Sequence, residues 1–167
     1  MKYCYECGTK LTERFLEREG MIPYCENCRT FRFPIFNTAV SMEIYNPGRD
    51  KLLLIQQYGR KRYILVAGYV NKGESAEHAV AREVMEEVGL RVVEYKFNKS
   101  EYFEKSNTLM VNFACVVDSE DLSYMTDEVD KAKWFSIEDA KREIFHGSLA
   151  EKFLLGALEK ELYTEHK

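Results

Sequence analysis

Four of the five cysteines in this 167-residue chain stand as two Cys-x2-Cys pairs, Cys4 with Cys7 and Cys25 with Cys28, seventeen residues apart. That spacing is the pattern of a four-thiolate zinc site, in which each pair forms one knuckle and supplies two corners of a tetrahedron. Because protein would fill all four positions, the site is structural: it organises a segment of about 34 residues, too short to bury a core of its own. Iron suits the same cage, and disulfides are the covalent alternative. The opening MKYCYECGTK has no apolar signal core, so a reducing, cytoplasmic setting is expected and disulfides are disfavoured. The fifth cysteine, Cys115, lies in the apolar run LMVNFACVV and reads as a buried thiol.

Beyond Phe33-Pro34 the pattern changes to strands. TAVSMEIY, the turn NPGRD and KLLLIQQ read as a hairpin; YILVAG (63–68), RVVEYKF, TLMVNFACVV and KAKWF read as further strands. Ser136 caps a helix beginning IEDAKREIF, and LAEKFLLGALEKEL carries the apolar spacing of a C-terminal helix. The expected organisation is a cysteine module over 1–34 and a mixed α/β domain over 35–167. Apolar residues make up 46% and charged residues 31%, the balance of a globular chain, and no apolar run approaches the roughly 20 residues of a membrane span. A net charge of -4 argues against a surface that tracks nucleic acid throughout, although Arg60, Lys61 and Arg62 can neutralise a small anion locally.

The segment GYVNKGESAEHAVAREVMEEVGL, 68–90, concentrates the chemistry. Ser75 is placed to cap a helix over about 75–88, with Glu77 in its first turn and Gly89 at its left-handed end. On that helix Glu83, Glu86 and Glu87 share a face about 100° wide, beside the inward-facing Val80, Val84 and Val88. Three carboxylates so close repel one another unless a cation compensates. An all-oxygen donor set with open positions suits magnesium or manganese, and Arg82 can fix a carboxylate by a bidentate pair. His78, His146 and His166 have no partner at ligand spacing.

Gly68, five residues, Glu74, seven residues, Arg82-Glu83, an aliphatic, any residue, Glu86-Glu87, any residue, Gly89 and an aliphatic together match the Nudix signature at every position. The chain therefore resembles the Nudix hydrolases. The resemblance implies an α/β/α sandwich with a mixed sheet and metal-dependent cleavage of the pyrophosphate in a nucleoside diphosphate linked to another group. It implies that Glu83 and Glu87 are the principal metal ligands and Glu86 an accessory ligand or base. Arg82 and Glu74 would hold the loop and helix in place.

A four-cysteine ribbon ahead of such a domain is similar to the NADH pyrophosphatase branch, which cleaves NAD(H) and can remove NAD caps from RNA and which commonly dimerises. That likeness implies a metal-facing carbonyl at Ala67 and a distal carboxylate ligand at Glu128. It also implies substrate contacts at Phe33 and at Ala150 within Gly147-Ser148-Leu149-Ala150. Tyr69 can stack on a base or nicotinamide ring. Where the branch carries SQPWPFPxS, this chain has Ser100-Glu101-Tyr102-Phe103-Glu104-Lys105-Ser106-Asn107-Thr108, without the prolines and with two added acids. Phe103 is the aromatic expected to touch substrate there. Hydrolysis of nucleoside triphosphates or modified nucleotides is a second reading, and a nucleotide-sensing or nucleic-acid-binding protein that recognises through its ribbon is a third.

Overall fold

The computed structural model describes residues 1–163 and divides the chain into two compact units, Met1–Phe36 and Asn37–Lys167. The first unit is a three-stranded antiparallel sheet in the order β1 (Thr12–Leu16), β2 (Gly20–Cys25), β3 (Thr30–Phe31). Its strands are exposed along β1 and mostly half-buried in β2 and β3, and its buried side chains are Cys4, Cys25 and Arg32. With so little apolar burial, the unit has no sizeable core of its own.

The second unit is built on β4 (Asn37–Tyr45), which pairs with β8 (Thr108–Val117) in parallel along its whole length. Its other edge is shared. Residues 39–42 pair with β6 (Val66–Tyr69), and Ile44 and Tyr45 pair with β5 (Lys51–Gln56). The sheet continues from β8 to β7 (Val92–Phe103) and from β5 to β9 (Lys131–Ser136), all antiparallel. Expected and observed strands agree except at two places. The run at 63–68 forms a continuous strand only from Val66, because Tyr63 and Ile64 make isolated bridges to Ile144 and Ile55. The strand expected to end at Phe97 runs on through SEYF to Phe103 and turns back through a 3-10 turn at Glu104–Ser106.

Alternation along β4 sends its side chains to opposite faces. Val40, Met42 and Ile44 pack with Leu53, Ile55 and Val66 against Val80, Val84 and Val88 of α1 (Ala76–Val88). On the other face Tyr45, Leu52, Leu54 and Ala114 pack against α2 (Ile137–Glu143) and α3 (Leu149–Glu159) through Ala140, Phe153 and Leu154. The result is an α/β/α sandwich with a mixed sheet. Cys115 is fully buried in the α1 layer, and that burial pushes its thiol pKa up.

One acid lies inside the α3 layer. Glu43 is fully buried; Asn112 Nδ2 donates to its Oε1 at 3.0 Å, while its Oε2 has no partner among the described residues. Asn112 in turn accepts from Asn98 at 2.7 Å and donates to the Ser41 carbonyl at 3.0 Å. Burial pushes the Glu43 carboxyl up to about 8 against the Asn112 hydrogen bond and the charge of Lys99; Tyr45 and Cys115 also feel its charge. The folded protein thus holds this proton more tightly than the unfolded chain does. The group's contribution to stability is complete below the ordinary carboxylate range and is lost as pH rises towards 8. We expect Glu43→Gln to flatten the fall in stability between pH 5 and pH 8 and to gain on the order of 1–3 kcal/mol at the upper end. Denaturant midpoints across that range check this, and parallel pH profiles for the two proteins would refute it.

Candidate active site

In the first unit the four expected sulfurs come together. Cys4, Cys7, Cys25 and Cys28 place their Sγ atoms within 4.8 Å of one another, with Cys7 to Cys25 at 3.4 Å and Cys4 to Cys28 at 4.0 Å. A tetrahedral dication with metal–sulfur bonds of ~2.3 Å needs sulfurs about 3.8 Å apart, so this cage fits one. Arg32, which the sequence did not single out as a ligand partner, is buried and donates from Nε to Cys4 Sγ at 3.2 Å. It also pairs with Glu6 at 2.5 Å and lies over the Tyr5 ring. The Cys28 thiol is pushed up to about 12, first by the neighbouring Cys7 sulfur and then by burial, the repulsion that a shared cation relieves. Phe33 is half-exposed in this unit.

The second unit builds the acidic site on α1. The helix starts where Ser75 accepts from the His78 N–H at 3.2 Å and ends at Gly89, whose φ is 69°. A Cβ on Gly89 would lie 2.7 Å from the Tyr124 carbonyl oxygen, so this glycine also admits the loop that follows β8. That loop is tied to the helix by the Thr126 N–H, which donates to the Glu87 carbonyl at 3.2 Å, and to β5 by the Asp130 N–H, which donates to Gln56 at 2.9 Å.

Arg82 organises the carboxylates. Its Nε and Nη2 each donate to Glu74 at 2.8 Å, its Nη1 donates to Glu83 at 2.6 Å and Glu86 at 2.9 Å, and Nη2 also reaches the Tyr69 carbonyl at 2.9 Å. The guanidinium, helped by the Asn71 N–H, holds the Glu74 carboxyl down at about 2. Glu83 and Glu87 are buried, whereas the Glu86 side chain is 55% exposed and stands at the outer side of Arg82. Gln57, at the end of the run that forms β5, donates to Glu87 at 2.9 Å. Burial pushes Glu87 up to about 7, and the charges of Glu83, Glu128 and Glu86 add to it while Gln57 opposes it. Among the described residues Glu87 has no cationic partner, so the donor set and its charge fit a divalent ion.

Glu83, Glu87 and Glu128 line one cavity of about 410 Å³ together with Arg82, Gly68 and Tyr69. Their oxygens do not gather as tightly as the four sulfurs do. A second cavity of about 510 Å³ adjoins it, since Ala67 and Met110 line both. Its walls include Phe103, Phe145 and Ala150, with Arg60, Arg62 and Lys105. The structure thus brings Ala67, Tyr69, Arg82, Glu83, Glu87 and Glu128 to one cavity and Phe103 and Ala150 to its neighbour, and it leaves Glu86 and Glu74 outside both. His78 is exposed on α1, His146 pairs with Glu151 at 2.6 Å, and His166 lies outside the described residues.

The stretch SEYFEKSNT is the tip of the β7–β8 hairpin. Of its two acids, Glu101 is paired with Lys152, which lowers its pKa, and Glu104 lines neither cavity. Phe103 and Lys105 reach one cavity, and Ser106 and Thr108 the other. Gln57, Lys105 and Phe145 are among the lining or supporting residues that sequence reasoning missed as site residues. A periodicity analysis carries no signal for them, because each acquires its place from tertiary pairing.

Gly68 is the closest approach in the site. A Cβ there would fall 1.9 Å from Glu83 Cδ and 2.1 Å from its nearer oxygen. No unusual φ is involved, so Gly68→Ala should fold while displacing the carboxylate. We expect it to weaken manganese binding by about tenfold or more, measured by titration with spin-resonance detection; unchanged affinity would remove Glu83 from the cation site. For the cysteine cage we expect about one bound metal per chain on elemental analysis, and faster loss to chelator in Arg32→Gln, where the Cys4 charge is no longer offset.

A NUDIX domain model matches residues 36–154. Among curated proteins, the chain is 28% identical to the NAD-capped RNA hydrolase NudC of Vibrio cholerae over 153 residues, covering 90% of this chain and 55% of that protein. It is 33% identical to NudC of Shigella flexneri over 141 residues, covering 83% and 52%. The chain spans about half the length of these relatives. A crystal structure of a NUDIX hydrolase from Nitrosomonas europaea superposes with a TM-score of 0.67 at 21% identity, over 99% of this chain and 94% of that one, and shares the fold. With the domain match extending over most of the sequence and the sandwich, box and caps in place, the chain belongs to the NUDIX family.

Proposed function

We infer that this chain hydrolyses the pyrophosphate of a nucleoside diphosphate linked to a second moiety, with a dinucleotide such as NAD(H) or ADP-ribose as substrate. The observation that carries this reading is the pair of adjoining cavities. One is lined by Glu83, Glu87 and Glu128, and the other by aromatic and cationic side chains. Such a division suits a ligand whose diphosphate lies over the acids, beside Tyr69, and whose base or nicotinamide ring lies against Phe103 and Ala150. Phe33 is assigned to substrate contact by the family likeness. Similarity to proteins named NAD-capped RNA hydrolases supports the dinucleotide class and extends it to an NAD cap on RNA.

Glu83, Glu87 and Glu128, with the Ala67 carbonyl and with Glu86 as accessory ligand or base, would hold magnesium or manganese. The bound ion would neutralise the diphosphate and lower the pKa of the attacking water. The protein's part is geometric. Arg82 keeps Glu83 and Glu74 in register with the β6 loop, Gln57 orients Glu87, and Gly68 leaves room for the Glu83 carboxylate. Zinc is proposed for the four-sulfur cage, a structural site separate from the chemistry. No helix among the described residues is long and apolar enough to cross a membrane. A cytoplasmic, homodimeric enzyme completes the proposal.

The test is a magnesium- or manganese-dependent panel of NADH, NAD, ADP-ribose, diadenosine polyphosphates, nucleoside triphosphates and NAD-capped RNA, with Glu87→Gln as control. AMP released from NADH or ADP-ribose, reduced by about 10²-fold or more in the variant, is the expected result. Turnover of none of these beyond the Glu87→Gln background would end the enzymatic reading. Strong preference for triphosphates without AMP from NADH would end the dinucleotide assignment.

A further inference from the structure

The second cavity has a charge that cleavage of NADH or ADP-ribose does not use. Arg60, Arg62 and Lys105 line it, no acid does, and among the described residues none of the three has a carboxylate partner. In a chain of net charge -4, three unneutralised cations around one apolar pocket are a local reversal of sign. Arg60 and Lys105 sit on hydrogen-bonded turns, and the Arg62 side chain rests on a ring. The Arg60 N–H donates to Gln57 at 3.2 Å, and the neighbouring Gly59 N–H donates to Asp130 Oδ2 at 2.6 Å. Arg62 is held over the Phe145 ring, 4.4 Å from its centroid. Lys105 sits in the 3-10 turn closed by the Asn107 N–H, which donates to the Glu104 carbonyl at 3.1 Å.

A dinucleotide brings two phosphates, and these fall to the acidic cavity, where a divalent ion would neutralise them. Cations beyond that end have no phosphate to meet in NADH or ADP-ribose. We propose that the Arg60–Arg62–Lys105 pocket is a specificity site for a further phosphate monoester, carried at the 2′ or 3′ position of the nucleoside ribose. The ring of such a nucleoside lies against Phe103 and Phe145, and the added dianion meets the three cations at the rim. A guanidinium forks onto phosphate oxygens, while a lysine supplies a point charge. This inference rests on the dinucleotide reading for its orientation, but the binding it describes needs no metal and no turnover.

The experiment is calorimetric titration of the full chain in metal-free buffer at about 0.15 M salt with AMP, adenosine 2′,5′-bisphosphate and adenosine 3′,5′-bisphosphate. We expect one bisphosphate to bind about tenfold more tightly than AMP, and its identity to give the ribose position. The preference should vanish in Arg60→Gln/Lys105→Gln, a variant of two exposed side chains whose thermal unfolding serves as the folding control. Both bisphosphates binding within about twofold of AMP, or a preference that survives the double variant, would overturn the proposal. Hydrolysis separates the two readings. If NADH is cleaved and neither bisphosphate is preferred, this specificity site falls alone. If the preference is present and no dinucleotide is cleaved, the pocket stands and the enzymatic reading falls.

Discussion

One guanidinium sets the geometry on which the acidic site depends. Arg82 reaches forward to Glu86, sideways to Glu83 and back across the loop to Glu74 and the Tyr69 carbonyl. It therefore fixes a helix and the end of a strand to each other, and a point charge could not reproduce those directions. It is also the nearest compensation for three carboxylates that would otherwise repel one another. Its reach stops short of Glu87, which is left with an amide partner and an elevated pKa. Of the three acids lining the cavity, Arg82 therefore pairs only Glu83, and Glu87 is left to a neutral amide.

The sheet explains why the adjoining cationic cavity exists. β4 gives one edge to two strands in succession, so β6 and β5 leave it at different points, and the segment between them, including Arg60 and Arg62, is free to form a wall. On the other side the β7–β8 hairpin projects its tip beside the same opening. Helix α1 supplies the acids because its other face is aliphatic. Val80, Val84 and Val88 are fully buried, and this holds Glu83 and Glu87 at the margin of the core.

What was legible in the sequence was what is local. Ser75 and Gly89 bound α1 because capping depends on a few neighbouring residues, and the cysteine pairs declare their cage through spacing alone. Glu43 was not legible. In TAVSMEIY the strand pattern alone does not say that the face carrying Ser41 and Glu43 is covered, and the packing of α3 shows both residues to be buried. The extension of β7 escaped for a related reason. A register shift between Phe97 and Lys99 breaks the alternation, and the strand continues because β8 is there to pair with it. Gln57, Lys105 and Phe145 owe their positions to contacts between segments distant in the chain.

The parallel pairing of β4 with β8 runs from Asn37 opposite Thr108 to Tyr45 opposite Val116 without a shift. The β8 partners in that register begin at Thr108, and the 3-10 turn Glu104–Ser106, which contains Lys105, lies outside every strand pair. The side chains of residues 104 to 106 can therefore change in size or charge without altering a strand pair of the sheet beneath the acids. In this chain the tip carries a lysine and no proline, a change that alters the company the pocket keeps and leaves the architecture below it untouched.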